Sequence, residues 1–186
     1  MWDLKKFGDL PIPRPSVVAA NHFSHLDPVI VGQTVGPVRY LAVDELYGTW
    51  PSFDKLISHF GAIPMTRTAV PLQALRTAID HLHAGGVIGV FPEGRRVWTW
   101  GELPPRRGAA WLAQRTGAPL VPVAIWGTQE SMGRGATGIK RWPVKIEIGD
   151  AIDPADFGGE RVAATWSMMA AWEQAVGAAI ERMRQG

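Results

Sequence analysis

The stretch AANHFSHLDPVI (19–30) combines residue types that can move a proton, because a histidine and an aspartate stand close together in it. The pattern predicts a strand that ends at Asn21-His22 and a helix that begins near Asp27-Pro28, and strand ends are where α/β sheets build their sites. The turn between them can fold His22 back toward Asp27. The carboxylate would then accept a hydrogen bond from one ring nitrogen while the other faces the cleft. This arrangement is typical of an oriented general base.

The same aspartate also fits the start of a helix without any chemistry. A residue before proline favours an extended backbone, which suits Asp27 as the N-cap with Pro28 in the first turn. Alternatively, Ser24 caps the helix in an S-x-x-D box. A metal site formed by His22, His25 and Asp27 is a further alternative, but no other His, Asp or Glu cluster with obvious ligand spacing supports it.

Short apolar runs that alternate with helix-period segments must position these residues, and the alternation is typical of an α/β fold. Helical spacing of apolar residues predicts helices over about 72–82, 108–115 and 161–184, the first two closed by glycines. We interpret 1–186 as a single domain, with 160–186 as its C-terminal helix. The predicted strands are 16–20, 38–43, 62–65, 87–91, 120–126 and 144–149.

Composition limits the class of protein. With 186 residues, 46% of them apolar, the chain can bury one good core, and the absence of cysteine excludes thiol chemistry and Cys-ligated metal. The formal charge is only +2, but Lys and Arg look clustered, which suits an anionic surface. No run of about 18 apolar residues occurs, so we expect a soluble or peripheral protein.

Nine tryptophans are present, several of them beside arginine or lysine in the segments 95–107 and 133–143. Indole rings prefer the wet edge of a membrane. We therefore predict that Trp98, Trp100 and Leu103 touch an anionic membrane, flanked by the arginines of loop 95–107. Residues 1–15 are interpreted as an interfacial N-terminal arm or a disordered end.

Four motifs in order resemble those of the glycerolipid acyltransferase family, which includes bacterial lysophosphatidic acid acyltransferases. The first motif, N-H-x-S-x-x-D, contains His22 and Asp27, and the fourth is the V-P-V strand at 121–123. The third, F-P-E-G-T-R, has Arg95 in place of the usual threonine. The residues that match the second and third motifs are Gly61, Ile63 and Arg67, and then Phe91, Pro92, Glu93, Gly94 and Arg96.

This resemblance implies a mostly parallel central sheet flanked by helices, as in glycerol-phosphate acyltransferases, and acyl transfer without a covalent enzyme intermediate. His22 would deprotonate the acceptor hydroxyl and Asp27 would hold His22. Arg67, Glu93, Gly94 and Arg96 would contact the phosphate and glycerol part of the acceptor. Since Glu93 would repel a phosphate, we expect it to orient an arginine or accept from a glycerol hydroxyl.

The resemblance further implies acyl-CoA or acyl-ACP as co-substrate, with no metal or other cofactor. The expected acceptor is lysophosphatidic acid, at the cytoplasmic side of the cell membrane, and no nucleic-acid partner is expected. Other lysolipid or glycolipid acceptors remain alternatives. So do a thioester hydrolase, in which water replaces the acceptor, and a phospholipid-binding module without turnover.

Overall fold

The computed structural model describes residues 3–43, 63–65 and 72–185, and these ranges contain a seven-stranded sheet. The six predicted strands are confirmed, with small shifts at their ends. A further strand, Leu4–Phe7, was not predicted. The strands are β1 Leu4–Phe7, β2 Ser16–Ala20, β3 Arg39–Val43, β4 Ile63–Met65, β5 Val87–Val90, β6 Leu120–Trp126 and β7 Val144–Ile148.

The three helices predicted from helical spacing are also present, as is the helix predicted to begin near Asp27-Pro28, and a further short helix, Thr128–Met132, was not predicted. On the helix predicted over 72–82, the buried residues are Ala74, Ala78 and Leu82, whereas Leu72, at its first position, is 73% exposed. The helices are α1 Asp27–Val35, α2 Leu72–His83, α3 Gly108–Thr116, α4 Thr128–Met132 and α5 Arg161–Gln185, and Pro154–Asp156 forms a 3-10 turn.

The sheet has the order β1-β7-β6-β2-β5-β3-β4, and its neighbouring strands run parallel except for β6 and β7. The predicted mostly parallel sheet flanked by helices is therefore confirmed. Strand β2 lies between β5 and β6, so that Val17 pairs with Ile88 on one side and Leu120 on the other. The residue that follows β2 is consequently flanked by the carboxyl ends of two parallel neighbours.

Both faces of the central strands are buried, which explains their short apolar runs. Val17 and Ala19 of β2 face the core formed with α2, α3 and α5, and Val18 and Ala20 face the core formed with α1. The indole N–H of Trp172 on α5 donates to the carbonyl of Ala19 at 2.8 Å. The long helix is thereby tied to the strand that leads into His22.

Helix α5 packs mainly through its middle and C-terminal turns, where Met169, Val176 and Ile180 are buried. Val162 and Trp166 share the helical spacing of these buried residues, but they are 44% and 50% exposed. The guanidinium of Arg107 instead lies 5.9 Å from the ring centre of Trp166. The side chains of Val162 and Trp166 thus lie outside the core, although Ala164 and Thr165 between them are buried.

The segment 1–15 contains strand β1, which pairs in parallel with β7 from Leu4 opposite Val144 to Phe7 opposite Glu147. A disordered end is therefore wrong for residues 4–7, while the interfacial role stays a prediction. The strand ends at Gly8, whose φ is +91° and where an added Cβ would lie 2.0 Å from the carbonyl oxygen of Ile148. Within the described ranges, no helix has the length and apolar composition needed to cross a bilayer.

Candidate active site

His22 and Asp27 meet at the carboxyl end of β2. His22 Nδ1 lies 2.9 Å from Asp27 Oδ2; the aspartate is fully buried and the histidine side chain is 13% exposed. Because an ionised carboxylate only accepts hydrogen bonds, Nδ1 carries the proton in this pair and Nε2 keeps its lone pair. The geometry is that of a histidine prepared to accept a proton at Nε2.

Asp27 is not the N-cap of α1, contrary to one expectation, because the helix begins at Asp27 itself and Leu26 precedes it without a side-chain cap. Its backbone is helical rather than extended, despite the proline that follows. Oδ2 also accepts from the backbone N–H groups of Phe23 and Ser24, each at 2.7 Å. These bonds to the turn hold the residue, and the bond from Ser24 is one half of the predicted S-x-x-D box.

An aromatic ring covers one face of His22. Phe91, the residue after β5, stacks on the imidazole with ring centres 4.1 Å apart and planes 21° from parallel. Tyr40 stacks behind Phe91 at 5.8 Å, and its hydroxyl donates to the carbonyl of Pro28 at 2.8 Å. Sequence reasoning matched Phe91 to a motif but gave it no role, because its contact with His22 depends on β5 lying next to β2 in the sheet.

Glu93 lies against the backbone of the turn that carries His22. Its Oε1 accepts from the N–H of His22 at 3.3 Å, and its Oε2 is buried without a partner among the described residues. Burial raises the pKa of this carboxyl to about 7. Within the same residues, no arginine forms an ion pair or hydrogen bond with Glu93. The contacts of Glu93 therefore do not support the expectation that it orients an arginine.

Asn21 joins the ends of two strands, a role that sequence reasoning missed. The fully buried side chain donates from Nδ2 to the carbonyl of Ile125 at 3.0 Å and accepts from the N–H of Ile125 at 2.7 Å. Both backbone groups of one β6 residue are thereby satisfied across the gap that opens where β2 ends. These two hydrogen bonds fix the position at which the chain leaves the sheet, one residue before His22.

The other predicted site residues lie around this turn. Gly94 has a φ of +70°, and an added Cβ would lie 3.1 Å from the guanidinium of Arg106. Arg96 is half-buried, and the next residue, Val97, donates from its N–H to the carbonyl of His22 at 2.8 Å. The third motif therefore borders the His22 turn. Arg67 lies outside the described residues, as does Gly61 of the second motif.

His25, which the metal alternative includes, is half-buried close to His22 and Asp27. Burial lowers its pKa to about 4, and the positive charge of Arg96 adds to the effect. The ring is therefore neutral at physiological pH. In the described ranges, no group of three or more His, Asp or Glu residues is arranged to hold a metal ion.

Loop 95–107 presents fewer apolar residues to solvent than expected. Trp98 is 57% exposed, but Trp100 packs against Trp172 with ring centres 5.6 Å apart, and Leu103 is packed against the core on the α5 side. Trp98 is therefore the most exposed of the three predicted residues, and the contact of this loop with a membrane stays a prediction. Loop 133–143 adds exposed Ile139 and Trp142, at 58% and 47%.

The protein is of the α/β class, with a mostly parallel sheet and, after its central strand, a histidine oriented by a buried carboxylate. This geometry is one that general bases use. The model of a family described as Acyltransferase matches residues 6–126, more than half of the chain. The chain therefore belongs to the acyltransferase family, as its motifs predicted.

Individual relatives extend this assignment. The chain is 31% identical to a 1-acyl-sn-glycerol-3-phosphate acyltransferase of Bacillus subtilis, over 80% of this chain and 72% of the relative. It is 27% identical to a chloroplastic enzyme of the same name from Brassica napus, but spans only 40% of that protein. The crystal structure of the 1-acyl-sn-glycerophosphate acyltransferase PlsC from Thermotoga maritima superposes with a TM-score of 0.80, at 28% identity, over 98% of this chain and 73% of that one.

Proposed function

We propose that the protein transfers a fatty acyl group from a thioester carrier to the free hydroxyl of lysophosphatidic acid, giving phosphatidic acid. The observation that carries the proposal is the 2.9 Å contact between His22 Nδ1 and Asp27 Oδ2 in a chain of the acyltransferase family. The acceptor is inferred from the names of the relatives, which act on 1-acyl-sn-glycerol 3-phosphate.

In the proposed reaction, Nε2 of His22 takes the proton of the acceptor hydroxyl as the oxygen attacks the thioester carbonyl. The tetrahedral intermediate collapses with cleavage of the C–S bond, and the leaving thiolate receives the proton from the imidazolium. Asp27 stabilises the imidazolium between these two transfers. General-base help of this kind contributes about 10²–10⁴-fold, and the rest must come from positioning and oxyanion stabilisation.

Positioning is the role that we assign to Phe91 and Asp27 together. The stacked Phe91 ring limits tilting of the imidazole out of its plane. The hydrogen bond to Asp27 Oδ2 limits turning of the imidazole within that plane. An imidazole held in this way loses little conformational freedom when the acceptor arrives.

The acceptor's phosphate is assigned to Gly94 and Arg96, together with Arg67. A guanidinium fork matches phosphate oxygens, and the absence of a Cβ at Gly94 permits close approach. Glu93 would repel a phosphate if it were ionised. Since its pKa is raised to about 7, a protonated fraction is present at neutral pH, which weakens the repulsion and can donate to a glycerol hydroxyl.

The donor is proposed to be acyl-CoA or acyl-ACP, and no metal or other cofactor is needed for the chemistry described. We further propose that the protein acts peripherally on the anionic, cytoplasmic side of the cell membrane. Exposed Trp98, Ile139 and Trp142 support this location, because they lie among arginines and lysines of loops 95–107 and 133–143.

The test is mass spectrometry of the products formed from short-chain lysophosphatidic acid with acyl-CoA or acyl-ACP, with and without EDTA. We expect phosphatidic acid from the unaltered chain, none from His22→Ala, and unchanged activity from His83→Ala, which alters an exposed histidine on α2. Thioester cleavage that does not depend on added acceptor would indicate a hydrolase. Transfer only to another lysolipid would refute the assigned acceptor.

A further inference from the structure

The loop after α4, residues 133–143, is anchored to the turn that carries His22. Gly133 forms an isolated β-bridge with Ser24, and the hydroxyl of Ser24 donates to the carbonyl of Met132 at 2.6 Å. Arg134 is the next residue along the chain. It is therefore fixed beside the His22 turn, although it belongs to none of the matched motifs.

Arg96 reaches the same turn from the other direction, since Val97 donates to the carbonyl of His22. A side-chain contact also joins loop 133–143 to loop 95–107. The guanidinium of Arg134 lies 5.5 Å from the ring centre of Trp98, in the range of a cation–π interaction. Arg96 and Arg134 thus flank the residue that we assign as the base.

Two glycines hold the backbone around Arg134. An added Cβ at Gly133 would lie 2.3 Å from the carbonyl oxygen of Gln129. Gly135 has a φ of +80°, which side chains rarely adopt, and packs near Trp98. The close approach and the positive φ together set the direction in which the loop carries Arg134.

The charges at this position are not balanced within the described part of the chain. Arg96 and Arg134 are both half-buried, and neither forms an ion pair with a carboxylate there. Burial lowers the pKa of Arg96, and the positive charge of Arg134 lowers it further, while the negative charge of Asp27 opposes this shift in part. Like charges brought together away from water are unfavourable unless an anion is bound between them.

We propose that Arg134 is a second guanidinium for the acceptor's phosphate, acting with Arg96 across the mouth of the His22 site. The inference rests on the proposed function for the identity of the acceptor. It adds a specificity residue from outside the shared motifs, held in place by Trp98. Two guanidiniums match the two negative charges of a phosphate monoester, whereas a neutral acceptor would make no use of Arg134.

The test compares Arg134→Gln and Arg134→Lys with Arg115→Gln, which removes an exposed arginine on α3. Kinetics are measured with soluble short-chain lysophosphatidic acid and with short-chain monoacylglycerol, a neutral acceptor. For Arg134→Gln we expect KM for the phosphorylated acceptor to rise at least about tenfold, with a smaller change in kcat and no change for the neutral acceptor. Arg134→Lys should recover part of this loss. Arg115→Gln should leave the kinetics with both acceptors unchanged.

Equal losses for the two acceptors would mean a structural role and overturn the proposal. So would a change only in the KM for acyl-CoA, or a loss only of binding to phosphatidylglycerol vesicles, which would assign Arg134 to the donor or to a lipid headgroup. If the unaltered chain acylates no lysophosphatidic acid, the proposed function fails by itself. Calorimetric titration with glycerol 3-phosphate then decides the inference, which requires weaker binding to Arg134→Gln.

Discussion

A single oxygen atom, Asp27 Oδ2, accepts hydrogen bonds from the His22 ring and from the backbone of Phe23 and Ser24. The carboxylate therefore holds the shape of the turn as well as the histidine. Removal of a buried acceptor that binds three donors destabilises the fold, because each donor left without a partner is buried away from water and has no hydrogen bond to compensate for this. The consequence is that His22 and Asp27 should differ in what they contribute to folding.

For His22→Ala we expect loss of activity of about a hundredfold or more with a smaller change in stability than for Asp27, since the ring is 13% exposed and loses one hydrogen bond and its stacking on Phe91, whereas the backbone bonds of the turn to Asp27 remain. For Asp27→Asn we expect a similar loss of activity together with about 1–3 kcal/mol of destabilisation, because a neutral amide oxygen is a weaker acceptor for the three donors, and the amide NH₂ would stand where the buried Oδ1 has no hydrogen-bond partner among the described residues. Acyl-transfer rates and urea unfolding of both variants check this. Full activity in either folded variant would contradict the assigned base.

The raised pKa of Glu93 makes a prediction about stability. The folded protein holds this proton up to about pH 7, whereas the ordinary value is 4.5. Unfolding between these values releases a proton, so the contribution of Glu93 to stability falls as the pH rises through this range and stays constant above it. Glu93→Gln cannot titrate, and we expect it to gain on the unaltered protein from about pH 5 to pH 8, by up to about 3 kcal/mol.

Urea unfolding at several pH values measures this difference. Glu173→Gln, which alters an exposed residue on the outer side of α5, should keep a constant offset from the unaltered protein. A constant offset for Glu93→Gln as well would show that the buried carboxyl does not titrate as described.

At the scale of strands and helices, much of the fold follows from local patterns. The run SVVAA is buried on both faces, and its composition was enough to predict β2. Strand β1, LKKF, was missed because its middle residues are exposed lysines that form a strand only through pairing with β7. Pairing between distant segments has no local signal that a single sequence can reveal.

The features of the site also divide into those that depend on neighbouring residues in the sequence and those that depend on pairing between distant strands. The proximity of His22 and Asp27 could be predicted because a short turn joins them. The stacking of Phe91 on His22 and the bond from His22 to Glu93 could not, because they depend on β2 and β5 being neighbours in the sheet. Arg134 was not recognised for the same reason, since its anchor, the bridge from Gly133 to Ser24, spans much of the chain.

Two glycines of loop 133–143 allow a matched comparison at this scale. A Cβ at Gly133 would meet the Gln129 carbonyl at 2.3 Å, whereas nothing lies within 4 Å of one at Gly138. Gly133→Ala should therefore displace the loop, cost about 1–3 kcal/mol and raise KM for lysophosphatidic acid, while Gly138→Ala leaves both unchanged. Thermal unfolding and kinetics check this, and equal effects of the two changes would contradict it.

At the scale of the whole molecule, the exposed apolar residues of loops 95–107 and 133–143 predict which face of the protein lies on a membrane. Trp98→Ala combined with Trp142→Ala should weaken binding to anionic vesicles, and salt should weaken the binding of the unaltered protein, since each basic residue near such a surface contributes about 1 kcal/mol. Phe7→Ala, which alters an exposed ring on β1, is the control for the alternative contact through residues 1–15. Vesicle co-sedimentation measures both.

A larger loss for Phe7→Ala than for the tryptophan pair would assign the contact to residues 1–15 instead. Equal binding to neutral and anionic vesicles would refute the electrostatic part of the proposal.

Strand β1 also affects how copies of this molecule behave together. An edge strand offers unpaired N–H and C=O groups to any other strand, which is a route to association between chains. Here the edge is only four residues long, exposes Lys5 and Lys6, and turns away at Gly8 against Ile148. Two such edges would repel each other before their backbones could pair. Replacing both lysines by valine should therefore make light scattering of the purified protein increase with concentration.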